Sequence, residues 1–309
     1  METTRFQYSK GVFGGSKPPP YDCESNSARE TAIYNKSISG VDKEKSKDYT
    51  TDRKAAMRQK RNTETRKEDS VMKITFVGAS HGVPEPHRRC SCTMIEVSGR
   101  YYFVDMGCPA IDDLVTKGVP VDAVKAIFIT HHHGDHTDGL LSLIGLCTWY
   151  YKTANPEVYL SKIEQADAIR GWVNSTTISE QRTVYHEVKP GLIFDDGFLK
   201  VTAIATKHCD RSYAYLMEAE GKTVLFTGDL GHPDRDFPEI IKGKTTDLVI
   251  CEGAHFPVVD YLPHFAQCDI KKVCLNHYAT WNIPHALELA KGLGEIPFVM
   301  AVDNMDIYV

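Results

Sequence analysis

Residues 124–130 read VKAIFIT, and the six residues that follow are His131, His132, His133, Gly134, Asp135 and His136. The apolar run is continuous rather than alternating, which suits a strand buried on both faces inside a layered α/β fold. Strand ends are a common seat of chemistry in such folds. Five of the six positions after this strand carry metal-capable side chains. In an extended segment residues i and i+2 share a face, so His131 and His133 point together and His132 points elsewhere. Gly134 allows a sharp turn, which brings Asp135 and His136 back to a second point nearby. Four nitrogen and oxygen ligands in so short a stretch can begin two adjacent metal sites. Imidazole and carboxylate suit zinc, manganese or iron better than they suit soft metals.

The surrounding pattern supplies the layers. Residues 72–78 alternate and end in Gly78, so they read as a strand. A loop rich in Gly, Pro and His follows, then strands at 91–97 and 100–105 joined by the turn Ser98-Gly99. Further strands are expected at 199–206, 213–219, 223–227, 247–251, 272–275 and 297–302, with Glu220-Gly221 as another tight turn. Residues 139–152, 160–174 and 284–293 have helical character, the last with a proline in its first turn. Strands, interspersed helices and hairpins together suggest a sandwich with mixed sheets. No internal repeat is visible.

Charge divides the 309 residues in two. Residues 1–71 hold 15 Lys+Arg and 11 Asp+Glu, a net of +4, whereas 72–309 hold 21 and 30, a net of −9. All 13 histidines and eight of the nine cysteines lie in the second part. The first part contains Gly14-Gly15, Pro18-Pro19-Pro20 and few large apolar residues, so it reads as a disordered extension. Residues 54–68 could form a polar, transient helix. The acids Glu24, Glu30, Asp42 and Glu44 argue against a transit peptide. A basic RNA-binding tail is one reading of this segment; a dispensable linker, or a start codon placed too early with Met72 as the natural start, is the expectation. No secretory signal and no run of 18 apolar residues is present, so the expectation is a cytoplasmic protein without a membrane partner. The odd, irregularly spaced cysteines read as reduced thiols, and Cys90-x-Cys92 is too close for the usual C-x2-C metal knuckle.

The run His131-His132-His133-Gly134-Asp135-His136 after a buried strand resembles the H-x-H-x-D-H signature of the metallo-β-lactamase superfold. The opening FVGASHGVPEPHRRCSCTMIEVSGRYYFVDMG resembles the first strands of its ribonuclease Z-like branch, down to the hairpin ending Asp105-Met106-Gly107. The resemblance extends over essentially all of 72–309. It implies a four-layer αββα sandwich and two divalent metal ions, zinc first, with manganese or iron accepted by the same ligands. By resemblance His131, His133 and His208 would hold one ion. Asp135, His136 and His277 would hold the second, and Asp229, in Phe226-Thr227-Gly228-Asp229, would bridge them. His277 competes for its role with His255, His264 and His285. His255, after Cys251-Glu252-Gly253-Ala254, is expected to line the cleft. His81 and His87 lie on a loop that borders the site in this fold, while His132 and His186 are expected to be structural or exposed.

Such a site implies hydrolysis. Two ions lower the pKa of a water from 15.7 towards about 7 and neutralise charge on the attacked group. Asp135 could orient that water or take its proton, and His255 could protonate a leaving group. The first expected substrate class is a phosphodiester, small or cyclic, or an RNA end, with Arg88, Arg89 and His81 as substrate-binding residues, because arginine forks pair well with phosphate oxygens. Folded tRNA fits less well. No protruding Gly/Pro- and basic-rich arm is found between 140 and 200, the body is acidic, and the family's usual His-x-Ser/Thr reads His277-Tyr278-Ala279-Thr280 here. The alternative is a lactone, thioester or other acyl hydrolase, with Trp149-Tyr150-Tyr151 and Phe256-Pro257 walling an apolar pocket. A di-iron redox protein is a third reading, without a visible flavin or rhodanese partner. Homodimers are common in the resembling family. A chain begun at Met72 is expected to fold with a single cooperative urea transition at the midpoint of the full chain, and a 72–309 chain that failed to fold would overturn this division.

Overall fold

Apolar alternation turns into β1 (Lys73–Gly78), whose residues after Lys73 are all buried. It pairs antiparallel with β2 (Cys92–Val97), which turns through Ser98-Gly99 into β3 (Arg100–Met106). Both turn residues have positive φ, 48° and 73°, the geometry that matches the twist of a two-residue hairpin. β4 (Val124–Phe128), β5 (Glu157–Leu160) and β6 (Val184–Glu187) then add in parallel. The computed structural model describes residues 72–173 and 183–309, all within the compact unit Glu68–Val309.

A second sheet starts with a meander. β7 (Gly191–Asp195), β8 (Lys200–Thr206), β9 (Ser212–Ala219) and β10 (Lys222–Phe226) are antiparallel neighbours, and Glu220-Gly221 makes the last turn with φ of 56° and 74°. The short strands β11 (Thr245–Thr246) and β13 (Asp269–Ile270) pair with each other. β12 (Leu248–Gly253), β14 (Val273–Tyr278) and β15 (Phe298–Met300) extend the second sheet in parallel from β10. The final strand β16 (Met305–Tyr308) returns to the first sheet beside β1. The two large sheets therefore run β16-β1-β2-β3-β4-β5-β6 and β15-β14-β12-β10-β9-β8-β7.

Three apolar clusters give the layering. The central one joins Phe76, Tyr102 and Phe128 of the first sheet to Tyr215, Met217 and Phe226 of the second, so the sheets pack face to face. The Phe128 ring lies 5.0 Å from Tyr159, 5.4 Å from Phe194 and 5.9 Å from Tyr215. A second cluster covers the outer face of the first sheet with α1 (Ile111–Thr116), α3 (Leu140–Trp149) and α4 (Glu164–Val173), through Leu114, Leu143 and Ile169. A third covers the outer face of the second sheet with α6 (Leu262–Phe265) and α7 (Ile283–Gly292), through Phe265 and Leu289. Two single-turn helices, α2 (Gly134–Thr137) and α5 (Pro233–Asp236), sit in loops. The order helix, sheet, sheet, helix is the expected αββα sandwich. No helix among the described residues is long and apolar enough to cross a membrane.

Some elements differ from expectation. The expected helix 160–174 begins only at Glu164, because Glu157–Leu160 is strand β5 with Val158, Tyr159 and Leu160 buried between parallel neighbours. A four-residue apolar run is too short for periodicity to decide. Residue 174 lies outside the described residues, as does the extension 1–71. Strands β6, β7, β11, β13 and β16 were also not expected: each is short and carries exposed positions.

The sandwich closes on the functional loops through glycines. A Cβ on Gly107 would stand 1.7 Å from the Asp135 carbonyl oxygen, and one on Gly139 would stand 2.1 Å from that of Cys108. The end of β3 thus lies directly against the loop that carries Asp135. Gly107→Ala is expected to destabilise by at least about 1–3 kcal/mol, because backbone must move. Gly171→Ala, in α4 with nothing within 4 Å of the added Cβ, is expected to stabilise by about 0.5–1 kcal/mol. Urea midpoints at unchanged slope test both, and equal effects would refute the close approach.

Candidate metal centre

Four strand ends converge on one point. β4 ends at Phe128, and His131 and His133 follow it. His133 is still extended and precedes the single turn α2, so Asp135 and His136 swing back within one helical turn. β8 delivers His208, β10 delivers Asp229 and β14 itself contains His277. Three backbone positions here are left-handed: Gly228, His277 and Asp105, the last with φ 58°. Gly228 has φ 57°, and a Cβ there would meet the Tyr213 carbonyl oxygen at 2.5 Å. His277 has φ 46°, a conformation that costs a non-glycine residue roughly 1–3 kcal/mol and persists only where the surroundings enforce it.

The carboxylate of Asp229 is the hub. Its Oδ2 lies 3.3 Å from His277 Nε2, 3.5 Å from His136 Nε2 and 3.7 Å from both His131 Nε2 and His208 Nε2. His255 Nε2 is 3.8 Å away. His133 Nδ1 lies 2.9 Å from His131 Nε2 and 3.3 Å from His208 Nε2. Asp135 Oδ2 lies 3.4 Å from His136 Nε2 and 3.8 Å from His277 Nε2. Ligand atoms of His131, His133 and His208 fall within 4.8 Å of one another, as do those of Asp135, His136 and His277, and those of His131, His136 and Asp229. The structure therefore brings together all seven residues expected to be ligands, in the two expected groups, with Asp229 between them.

The electrostatics fit a cationic guest. Burial pushes His131 down to about 2, helped by the neighbouring histidines, and pushes His208 down to about 4. Both imidazoles are therefore neutral, the form that binds metal. Burial works against the charged forms of Asp135 and Asp229, but the surrounding imidazoles outweigh it and hold both below the usual carboxylate range. Burial likewise opposes a charged His136, yet Asp229 and Asp105 outweigh it and raise that group. His136 Nε2 is buried without a hydrogen-bond partner, which a buried polar atom rarely tolerates. A divalent cation would satisfy that nitrogen in place of a proton. Five imidazoles and two carboxylates suit two zinc, manganese or iron ions.

A supporting shell escaped the sequence reading. Asp105 accepts hydrogen bonds from the Thr130 backbone at 2.8 Å and pairs with His136 Nδ1 at 2.7 Å, so Nε2 is the nitrogen left facing the centre. The Ser80 carbonyl does the same for His277 Nδ1 at 3.1 Å. Glu252, almost fully buried, pairs with His255 Nδ1 at 2.9 Å and accepts from the Leu230 backbone at 2.8 Å. Burial opposes the charged form of His255, but Glu252 outweighs it and lifts the group to about 9. The only signals in the sequence were the carboxylates Asp105 and Glu252 at the ends of apolar runs.

The expected substrate residues stand differently. Arg88 pairs with Glu85, donates to the Ala79 carbonyl at 3.2 Å and stacks 4.2 Å from the Tyr278 ring centroid. Arg89 forks onto Asp113 at 2.7 and 3.3 Å and reaches Asp303 at 3.6 Å. Both guanidinium groups are thus committed to internal carboxylates rather than offered to a phosphate. Pairing with several nearby carboxylates is visible only in three dimensions. His81 lies 3.4 Å from Glu85, on a loop whose Gly82 would bring a Cβ 2.7 Å from Asp135 Oδ2, so this loop borders the site. His87 is exposed, and His186 pairs with Glu157 at 2.9 Å. Trp149, Tyr150 and Tyr151 are exposed around the end of α3, and Phe256 is buried against Tyr261. Among the described residues these aromatics do not line the cavity at the centre. Asp105→Asn, which keeps the shape and removes the charge behind His136, is expected to lower divalent-cation affinity about 10–100-fold in competition with a chromophoric chelator. Unchanged affinity would show that Asp105 does not orient a ligand.

Comparison with known proteins agrees with this geometry. The ribonuclease Z of Gloeothece citriformis is 29% identical over 185 residues, covering 57% of this chain and 58% of that protein. The chain spans about three-fifths of the length of the curated relatives it matches. The metallo-β-lactamase fold protein YhfI from Bacillus subtilis superimposes with a TM-score of 0.62 at 18% identity, over 77% of this chain and 100% of that one. Human tRNase Z, short form, does so with a TM-score of 0.60 at 20% identity, over 76% and 98%. The fold is therefore that of the metallo-β-lactamases. The family model described as anti-Pycsar protein Apyc1 matches residues 72–280, more than half of the chain, and the chain belongs to that family.

Proposed function

We propose that this protein is a metal-dependent phosphodiesterase acting on small or cyclic phosphodiesters, with zinc as its first metal. The observation that carries the reading is the Asp229 carboxylate ringed by histidine nitrogens at 3.3–3.8 Å. His131, His133 and His208 are proposed to hold one ion, Asp135, His136 and His277 the other, and Asp229 both. Ions held there supply Lewis acidity, lowering the pKa of a water and offsetting charge on the attacked group.

The protein's own residues do the rest. Asp135 stands beside His136 and His277, with its carboxylate partly open, and can orient the attacking water or take its proton. His255 faces the hub from the opposite loop, one-third exposed. Glu252 behind it favours the protonated imidazole, which suits His255 to donate a proton to the leaving oxygen. Asp105 and the Ser80 carbonyl fix which nitrogen of His136 and His277 points inward.

Relatives named ribonuclease Z support phosphodiester chemistry. The acidic body, with a net charge of −9 over 72–309, and the internally paired Arg88 and Arg89 favour a compact substrate over a long nucleic acid. Phosphate is then recognised by the centre rather than by arginine forks; His81, on the bordering loop, is likewise engaged internally, with Glu85 and the Val83 amide.

The test uses the full chain, stripped of cations and reloaded with zinc or manganese. Bis(p-nitrophenyl) phosphate and cyclic nucleotides are the substrates. Turnover is expected only after reloading, and Asp135→Ala is expected to lose about 10²–10⁴-fold. His255→Ala should slow the cyclic nucleotides, whose leaving group needs a proton, far more than the nitrophenyl ester. A fully loaded protein that cleaves thioesters or lactones but neither phosphodiester would overturn the proposal.

A further inference from the structure

His132 is the member of the histidine run that the dinuclear centre does not use. Extended backbone from 131 to 133 sends His131 and His133 one way and His132 the other. Cys209 stands in the same relation to His208 on the facing loop. The two leftover side chains meet. A ligand atom from each of His132, His133 and Cys209 lies within 4.8 Å of the other two. His132 Nδ1 is buried and has no hydrogen-bond partner, and the His132 and His133 rings are 5.4 Å apart. The Cys209 thiol is half-buried; it makes a weak hydrogen bond of 3.6 Å to the neighbouring Asp210 carbonyl and also interacts with Ser212. Its loop is pinned by Ser212, whose hydroxyl accepts from the Cys209 amide at 3.3 Å and donates to the Cys209 carbonyl at 3.2 Å.

We propose that His132, Cys209 and His133 form a third cation site, selective for soft or borderline metals, on the flank of the dinuclear centre. Two imidazoles and a thiolate are a donor set for zinc or copper(I), not for magnesium or manganese. This set differs in kind from the proposed dinuclear ligands, none of which is sulfur. Binding forms a sulfur–metal bond as the thiol proton leaves to water, with no change in oxidation state. Lys162, a nearby cation, pairs with Asp210 at 3.5 Å, and the thiolate adds a negative charge beside it. His133 belongs to both groups. A third ion therefore draws on a ligand of the first, and excess zinc slows the enzyme through this site.

The site goes beyond the dinuclear reading and is tested apart from it. The full chain, stripped of metal, is titrated with cobalt(II) and followed by absorption. A thiolate-to-cobalt charge-transfer band is expected as a third equivalent binds. Cys209→Ser and His132→Phe should each abolish the band and reduce the stoichiometry from three to two. Inhibition by excess zinc should weaken at least tenfold in both. A band that never forms, or one that survives in either variant, would overturn the site. Because no proposed dinuclear ligand contains sulfur, the band reports on this site even if the two-ion reading fails.

Discussion

Everything at the centre depends on a single buried carboxylate. Asp229 is 3% exposed, and among the described residues the basic side chains around its Oδ2 are all imidazoles. A charge buried so deeply is costly unless it is compensated. The fold answers with five histidine nitrogens from three different loops and a strand. That arrangement is poor as a purely structural device, because neutral and charged imidazoles crowd one another. It fits the lining of a cavity for divalent cations, the role proposed for it.

The rest of the sandwich keeps these loops in place. Tyr215 donates to the Ile129 carbonyl at 2.6 Å and the Tyr213 amide donates to Thr130 at 2.9 Å, so the second sheet holds the strand that carries the histidine run. Asp105 reaches the same point from β3 and binds both Thr130 and His136. Gly107 and Gly228 allow backbone to approach where any side chain would collide. The left-handed conformation of His277 is affordable because the Ser80 carbonyl and Asp229 hold its ring at both nitrogens. Positioning of the centre is thus shared between both sheets, which explains why ligands come from chain positions as distant as 131 and 277.

Much of this was legible in the residues. The buried strand 124–130, the alternation at 72–78 and the tight turns Ser98-Gly99 and Glu220-Gly221 are local patterns, and local patterns carry their own physics: periodicity for burial, and φ preference for turns. The grouping of His131 with His133 apart from His132 follows from strand geometry alone. Strands β5, β6, β7 and β16 were not legible. Each is four or five residues long and is held by its neighbours in the sheet rather than by its own pattern. The helix expected from residue 160 failed at its start for the same reason.

The sequence by itself determined the layered class, the signature of the centre and the chemical nature of the side chains gathered there, because these depend on residue type and on spacings of a few positions. Only the tertiary structure decided which partners the long-range charges take. Arg88 and Arg89 look like phosphate forks in isolation, yet Glu85, Asp113 and Asp303 claim them. Asp105 and Glu252 look like strand-end acids, yet they orient His136 and His255. Cys209 and His132 are unremarkable 77 positions apart in the chain and adjacent in space. A charge or a lone pair finds its partner by distance in space, and that distance is set by packing of the two sheets, which no local pattern encodes.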